Sequence, residues 1–378
     1  MDLRALQIGM TASAGAAGGA DRYYFSLLQA LASDGIRASG LVTGDPGDVA
    51  GMTGVQTYAR ETDSLLRRCL KLRSAATPAI AANDVVVSHF AQYGLTILDR
   101  LRGKPFVVHF HGPWALESQA EGAGAFSVAV KRGIERTVYR AAARVIVLSS
   151  AFGDIVTNEY GISAGKVRVI PGGVDLERFG PRASRAQARE RLGLPGDRPT
   201  VVTVRRLVHA KGVDNLVKAA ALVRERVPNL FVAIAGAGPL AGALQASIDE
   251  MDLSGTVRML GRVVEEDLPL LYRAADLLIV PTVVLEGFGL VVLEALAAGT
   301  PALVTPVGGL PEVVRSLDPS LVLEGHTPEQ LAGGITGALL GQVRVPSEAE
   351  CLAYASRFAW TDIAHRVGDV YREVALKA

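Results

Sequence analysis

Two carboxylates, Glu286 and Glu294, stand eight positions apart around the run Gly287-Phe288-Gly289-Leu290, which follows an apolar stretch and leads to Gly299-Thr300-Pro301. Glycines where a strand passes into a helix let a ligand approach the backbone, and the helix-end amides and dipole suit oxyanions. A diphosphate or the hydroxyls of a sugar match that chemistry. On one continuous helix the two carboxyl groups would lie about 12 Å apart, from eight steps of ~1.5 Å, wider than hydrolytic acid/base pairs. They are therefore read as spanning a ligand. Glu294 falls within the otherwise apolar residues 290–298, where an unpaired carboxylate is costly, and this argues against a plain solvent-facing role.

A second stretch, residues 204–212, carries Arg205, Arg206, His209 and Lys211 at the end of another apolar run. An arginine fork and a lysine point charge there can neutralise both phosphates of a nucleotide diphosphate and its charge as a leaving group, without a metal. Solvated loop cations are the plainer alternative. In His109-Phe110-His111-Gly112-Pro113, His111 ends a third run, and strand alternation is read as pointing His109 the other way. A structural histidine is the competing reading, and His89, ending a further run, is a candidate for an acceptor pocket. Gly18-Gly19-Ala20-Asp21-Arg22 opens a helical pattern and is either a phosphate-facing loop or a tight turn.

The elements that must position these residues are short buried runs at 6–10, 38–42, 85–88, 106–110, 145–148 and 167–170. Between them, segments such as 22–33 and 128–142 repeat apolar residues at three and four positions, as crossover helices do. Residues 171–197 are dense in Gly, Pro and Arg and read as a linker with a short helix at 185–192. A second series then begins, with strands expected at 201–204, 231–235, 257–260, 277–280, 302–305 and 321–323. Two doubly wound parallel sheets favour a ligand at the carboxyl ends of the strands, in the cleft between domains. Residues 360–374 read as a helix with an apolar stripe through Trp360, Ile363, Val367, Val370, Tyr371 and Val374.

Composition narrows the class. At 378 residues, two domains are expected. With 49% hydrophobic residues and 20% charged, the chain is globular rather than disordered. The balance of 39 Lys and Arg against 38 Asp and Glu argues against a nucleic-acid partner. Cys69 and Cys351 stand far apart without ligand spacing, which fits a reducing cytoplasm. Residues 1–10 lack the pattern of an export signal, and no apolar run approaches the roughly 18 residues of a spanning helix.

Together the two motifs resemble the retaining glycosyltransferases of family GT4, the group 1 glycosyltransferases. Glu286 and Glu294 match the E-x7-E element, and Arg206, Leu207, Lys211 and Gly212 match G-R-L-x-x-x-K-G, with Arg205 in place of the usual first glycine. Gly236-Ala237-Gly238-Pro239, Thr305 to Glu312, Pro171-Gly172-Gly173-Val174-Asp175 and Phe358-Ala359-Trp360 follow in family order. The resemblance implies a GT-B fold, α/β, of two Rossmann-like domains: an acceptor domain over 1–180, a donor domain over 181–357, and a helix, 358–378, returning to the first. It implies that Glu286 holds donor-sugar hydroxyls, Glu294 the ribose, and Arg206 with Lys211 the diphosphate. Gly287, Phe288, Gly289 and Leu290 would assist, with Gly18 and Gly19 beside the phosphates, Arg262 and Val263 near the base, and His111 at the active site.

The implied activity is retaining, metal-independent transfer of a hexosyl group from a nucleotide-diphosphate sugar, UDP first and GDP next, to a glycan or lipid-linked saccharide. No resident cofactor is expected, and the setting would be bacterial surface polysaccharide or glycoconjugate assembly in the cytoplasm. Tyr23, Tyr24, residues 90–93 and Trp114 suit sugar stacking. Arg67, Arg68, Lys71 and Arg73 suit either peripheral contact with the inner membrane or an ordinary basic helix face. The alternatives are a GT-B sugar-nucleotide epimerase, a phosphorylase, or an inactive nucleotide-sugar-binding protein.

Overall fold

Near-continuous runs of Val, Ile and Leu, buried on both faces, build parallel sheets because neither face meets water. The computed structural model of the protein describes residues 3–12 and 18–377. Its first unit holds β1 (Leu3–Thr11), β2 (Ile36–Thr43), β3 (Val55–Ala59), β4 (Val85–Ser88), β5 (Phe106–Phe110), β6 (Arg144–Val147) and β7 (Val167–Val169). All pairings are parallel, in the order β3-β2-β1-β4-β5-β6-β7. Leu72, Ala76 and Ile80 of the Leu65–Ala82 helix close one face of this core, together with Phe110, Tyr139, Phe152 and Tyr160. Beneath them the buried Glu135 carboxylate accepts from the Trp114 and Ala115 amides and the Tyr160 hydroxyl, which caps the Trp114–Ala120 helix.

The Trp360–Ala375 helix belongs to this first unit, which comprises residues 1–173 and 360–378. Ile363, Val367, Val370 and Val374 recur at three- and four-residue steps and are all buried. At roughly 1.5–3 kcal/mol for each buried side chain, burial of these four contributes about 6–12 kcal/mol against the cost of ordering the helix. Glu373 pairs with Arg144 and Arg168, and Arg372 with Asp34.

The second unit, residues 174–359, holds β8 (Thr200–Val204), β9 (Phe231–Ala235), β10 (Val257–Gly261), β11 (Leu277–Val280) and β12 (Ala302–Val304). This sheet is also parallel, ordered β10-β9-β8-β11-β12. The chain passes between units at Gly173 and Ala359 rather than at 180 and 357. The reason is local: Val174 donates to the Phe358 carbonyl, Arg178 pairs with Glu265, and the Phe179 ring lies 6.0 Å from that of Tyr272.

Two elements depart from the sequence expectation. β3 lies in the polar stretch after Asp45, where Val55-Gln56-Thr57 carries no continuous apolar run. Residues 321–323 do not form a strand: Asp318 caps a 3-10 turn, Pro319–Leu321, and only Val322 bridges, to Val304.

Candidate active site

Strand order places the chemistry. In the second sheet β8 and β11 are neighbours although β9 and β10 lie between them in sequence, so the order reverses there and the carboxyl ends of β8 and β11 open beside each other. Arg205 to Lys211 leave β8, and Pro281 to Glu286 leave β11. Lys211 Nζ consequently sits 2.9 Å from Glu286 Oε2. Arg205 pairs with the same oxygen, and its guanidinium also donates to Thr282 Oγ1 at 2.6 Å. The Thr282 hydroxyl in turn lies 3.2 Å from Glu286 Oε2.

Three donors thus converge on one carboxylate oxygen. Burial by itself would raise the Glu286 pKa, but the Arg205 and Lys211 charges overcome it and hold the group at about 2. Burial, with the neighbouring Arg205 and Arg206 charges, outweighs the pull of Glu286 and lowers the Lys211 ammonium. Arg206 is exposed, and its guanidinium makes no hydrogen bond or ion pair among the described residues. The site therefore couples an ionised, oriented carboxylate to a half-engaged lysine and an exposed arginine, a set that suits hydroxyl and phosphate groups together.

Glu286 lies ahead of the Leu290–Ala297 helix and not on it, so only Glu294 of the pair is helical. Leu285 at φ 49° precedes Glu286, and a Cβ on Gly308 would come within 2.2 Å of the Glu286 carbonyl, so the turn bearing Glu286 is held against a bare backbone. Gly289, at φ 85°, is the N-cap of the helix, Gly287 is half-buried, and Phe288 is buried near Phe358. Leu290 opens the helix, whose first amides lack intrahelical acceptors. Glu294 is 5% exposed and accepts from the Tyr272 hydroxyl at 2.6 Å. Arg262 is exposed and Val263 half-buried just past β10.

In the first unit Gly18 is the N-cap of the Gly19–Ala30 helix, and the rest of that loop, 13–17, lies outside the described residues. The Asp21 carboxylate takes the Gly18 and Thr11 amides at 2.9 and 3.1 Å, so the chain's own acid already satisfies part of this anion-binding end. His111 does not stand alone. His89, at the end of β4, and His109, on β5, stack with it within 15° to 20° of parallel. The expectation that His109 faces away is corrected, because residues two apart on a strand share a face. Gln7, Tyr23 and Tyr371 complete the cluster through hydrogen bonds to His89 and His109.

Sequence reasoning gave no role to Thr282, Tyr272 or Gln7, and placed Tyr371 only on the apolar stripe of the last helix. It named Arg205 among the cations after β8 and as a departure from the family motif, but did not place it on Glu286. Among the described residues no group of three or more His, Cys, Asp or Glu is arranged to hold a metal ion, and no helix is long and apolar enough to cross a membrane.

The two parallel sheets define a GT-B fold, and solved structures share it along the whole chain. Sucrose-phosphate synthase from Thermosynechococcus elongatus superposes with a TM-score of 0.83 at 24% identity, covering 100% of both chains. HepE from Anabaena, in complex with UDP and glucose, gives 0.82 at 19% identity over 98% of this chain and 100% of its own. Residues 184–357 match the family described as glycosyl transferases group 1, and residues 17–178 match glycosyltransferase family 4. The D-inositol 3-phosphate glycosyltransferase of Saccharomonospora viridis is 33% identical over 316 residues, 80% of this chain and 73% of its own length. Its counterpart in Nocardia farcinica is 35% identical over 79% of this chain and 68% of its own. The chain belongs to the group 1 glycosyltransferases, family GT4.

Proposed function

We propose that the protein transfers a hexosyl group from a nucleotide-diphosphate sugar, with UDP the first candidate and GDP the next, to a saccharide or lipid-linked glycan, with retention at the anomeric carbon. The convergence of Arg205, Lys211 and Thr282 on one oxygen of Glu286 carries this reading. It leaves the carboxylate charged, with its second oxygen able to accept from sugar hydroxyls. Solved relatives of the fold that hold UDP or UDP-glucose support the donor class.

In this reading the bond between the anomeric carbon and the diphosphate oxygen breaks, and both electrons leave with the phosphate. Arg206, the one remaining N–H of Lys211 and the first amides of the Leu290–Ala297 helix take up that charge, so the site needs no resident metal. The departing phosphate oxygen accepts the proton of the acceptor hydroxyl, which attacks from the same face. Glu294 would hold ribose hydroxyls and His111 would orient the sugar.

Peripheral contact with the cytoplasmic face of the inner membrane belongs to the same proposal. Leu65, Leu66 and Leu70 of the Leu65–Ala82 helix are 49%, 70% and 58% exposed beside Arg67 and Lys71.

The test is calorimetry of the purified protein with UDP-, GDP- and ADP-sugars, with NAD as control, followed by product analysis by NMR. Selective binding of one nucleotide family and an axial or equatorial product bond matching the donor's are expected. Binding of NAD alone, or an inverted product, would overturn the reading.

A further inference from the structure

The rings of His89, His109 and His111 lie close to parallel, His89 4.5 Å from His109 and 5.2 Å from His111. Burial lowers all three below the ordinary imidazole range, His111 to about 4. At neutral pH each ring is therefore uncharged, with one N–H and one lone pair, and the partner at one nitrogen dictates what the other can do.

Gln7 stands at the head of this chain of contacts. It is 1% exposed on β1, with its amide oxygen 2.8 Å from His89 Nε2 and its amide nitrogen donating to the Tyr371 hydroxyl at 3.2 Å. An amide oxygen only accepts, so His89 carries its proton on Nε2 and presents a bare Nδ1. That Nδ1 lies 2.9 Å from His111 Nε2, which must then be the donor. The lone pair of His111 is left on Nδ1. A second branch meets this one at Tyr371, whose hydroxyl accepts from the Gln7 amide nitrogen and lies 2.8 Å from His109 Nε2 and 3.4 Å from the Gln7 amide oxygen. His109 Nδ1 lies 3.2 Å from the Tyr23 hydroxyl. The orientation of one side-chain amide sets the direction of the bonds that run from Gln7 through His89 to His111. Tyr24 and Tyr23 set their ring edges against His89 and His111, at 4.8 and 5.1 Å between centroids, and hold the rings in plane.

We propose that Gln7 and His89 are positioning residues that fix His111 as a neutral Nε2–H imidazole, so that its Nδ1 accepts a hydrogen bond from a ligand hydroxyl instead of delivering charge to the diphosphate. The identity of that ligand rests on the transferase reading above. The tautomer rests only on contacts within the first unit. Because Tyr371 lies on the Trp360–Ala375 helix, that helix is wired into the same network that aims His111.

Long-range proton–nitrogen correlation spectra of the full chain, labelled with 15N-histidine at pH 7.5, test this directly. The expected spectrum has His89 and His111 protonated on Nε2. In Gln7→Leu, His89 and His111 should lose their single tautomer. Turnover should then fall roughly tenfold, the upper range for one hydrogen bond, with the donor KM within about twofold. A merely structural role would move neither the tautomers nor kcat apart from KM. Reversed tautomers in the wild type, or unchanged tautomers in Gln7→Leu, would overturn the relay. The wild-type spectrum decides the matter even where the variant fails to fold. The expected tautomers in a protein that turns over no nucleotide sugar would uphold the relay and defeat the transferase reading instead.

Discussion

Acidification from pH 7 to pH 4.5 should weaken the first unit through its histidines. Burial holds His111 at about 4 in the folded protein against an ordinary value of 6.5, so between those values the unfolded chain binds a proton that the folded chain refuses. A folded-state pKa depressed in this way makes stability rise with pH, and the contribution is lost as pH falls through 6.5 towards 4. Integrated to pH 4.5 the complete shift is worth about 2.5 kcal/mol, and partial exposure of the ring reduces this to ~2 kcal/mol. His89 and His109 are displaced in the same direction. Asp21 and Glu135, raised by burial, and His365, raised by Asp34, have the opposite sign and gain stability on acidification. The decisive quantity is therefore the difference between wild type and His111→Asn. Both tryptophans, Trp114 and Trp360, lie in the first unit, so urea unfolding followed by tryptophan fluorescence reports that unit alone. From pH 7 to pH 4.5 the free-energy gap should move by ~2 kcal/mol in favour of the variant. Parallel curves across that window would refute the buried neutral imidazole.

Lys211→Ala should slow sugar transfer by about 100-fold, as loss of a charge-stabilising donor does, while circular-dichroism melting changes little; initial rates at saturating donor decide it. Glu294→Gln should raise the nucleotide dissociation constant roughly tenfold in calorimetry, since the Tyr272 contact can survive while a charged acceptor for hydroxyls is lost. Tyr371→Phe removes the hydroxyl shared by Gln7 and His109, and the first unit should lose about 1–3 kcal/mol in fluorescence-monitored unfolding. Leu66→Asp should reduce co-sedimentation with anionic vesicles several-fold, and unchanged sedimentation would remove the Leu65–Ala82 helix from any membrane contact.

Among the described residues eleven of the twelve strands announce themselves as short apolar runs, because a strand buried on both faces has no polar alternative. β3 does not: Val55-Gln56-Thr57-Tyr58-Ala59 is an edge strand, paired on one side only, and tolerates the exposed Gln56. β7 shows as an apolar run yet is half-exposed for the related reason that it closes the other edge. The Trp360–Ala375 stripe is legible because an amphipathic helix keeps its period, although the stripe alone does not name what it packs on.

The same division holds for the site. Residue type and spacing by themselves determined that Arg206, Lys211 and Glu286 follow strand ends and that Glu294 lies in the helix beyond the glycine run, since those signals are local in the chain. That Arg205 and Thr282, 77 positions apart, share the Glu286 oxygen was decided only when β8 and β11 became neighbours. That Gln7, His89, His111 and Tyr371 form one hydrogen-bonded network was decided by the meeting of β1, β4, β5 and the last helix. Hydrogen bonds act over about 3 Å, and no local pattern records which distant residues the topology will bring within that reach.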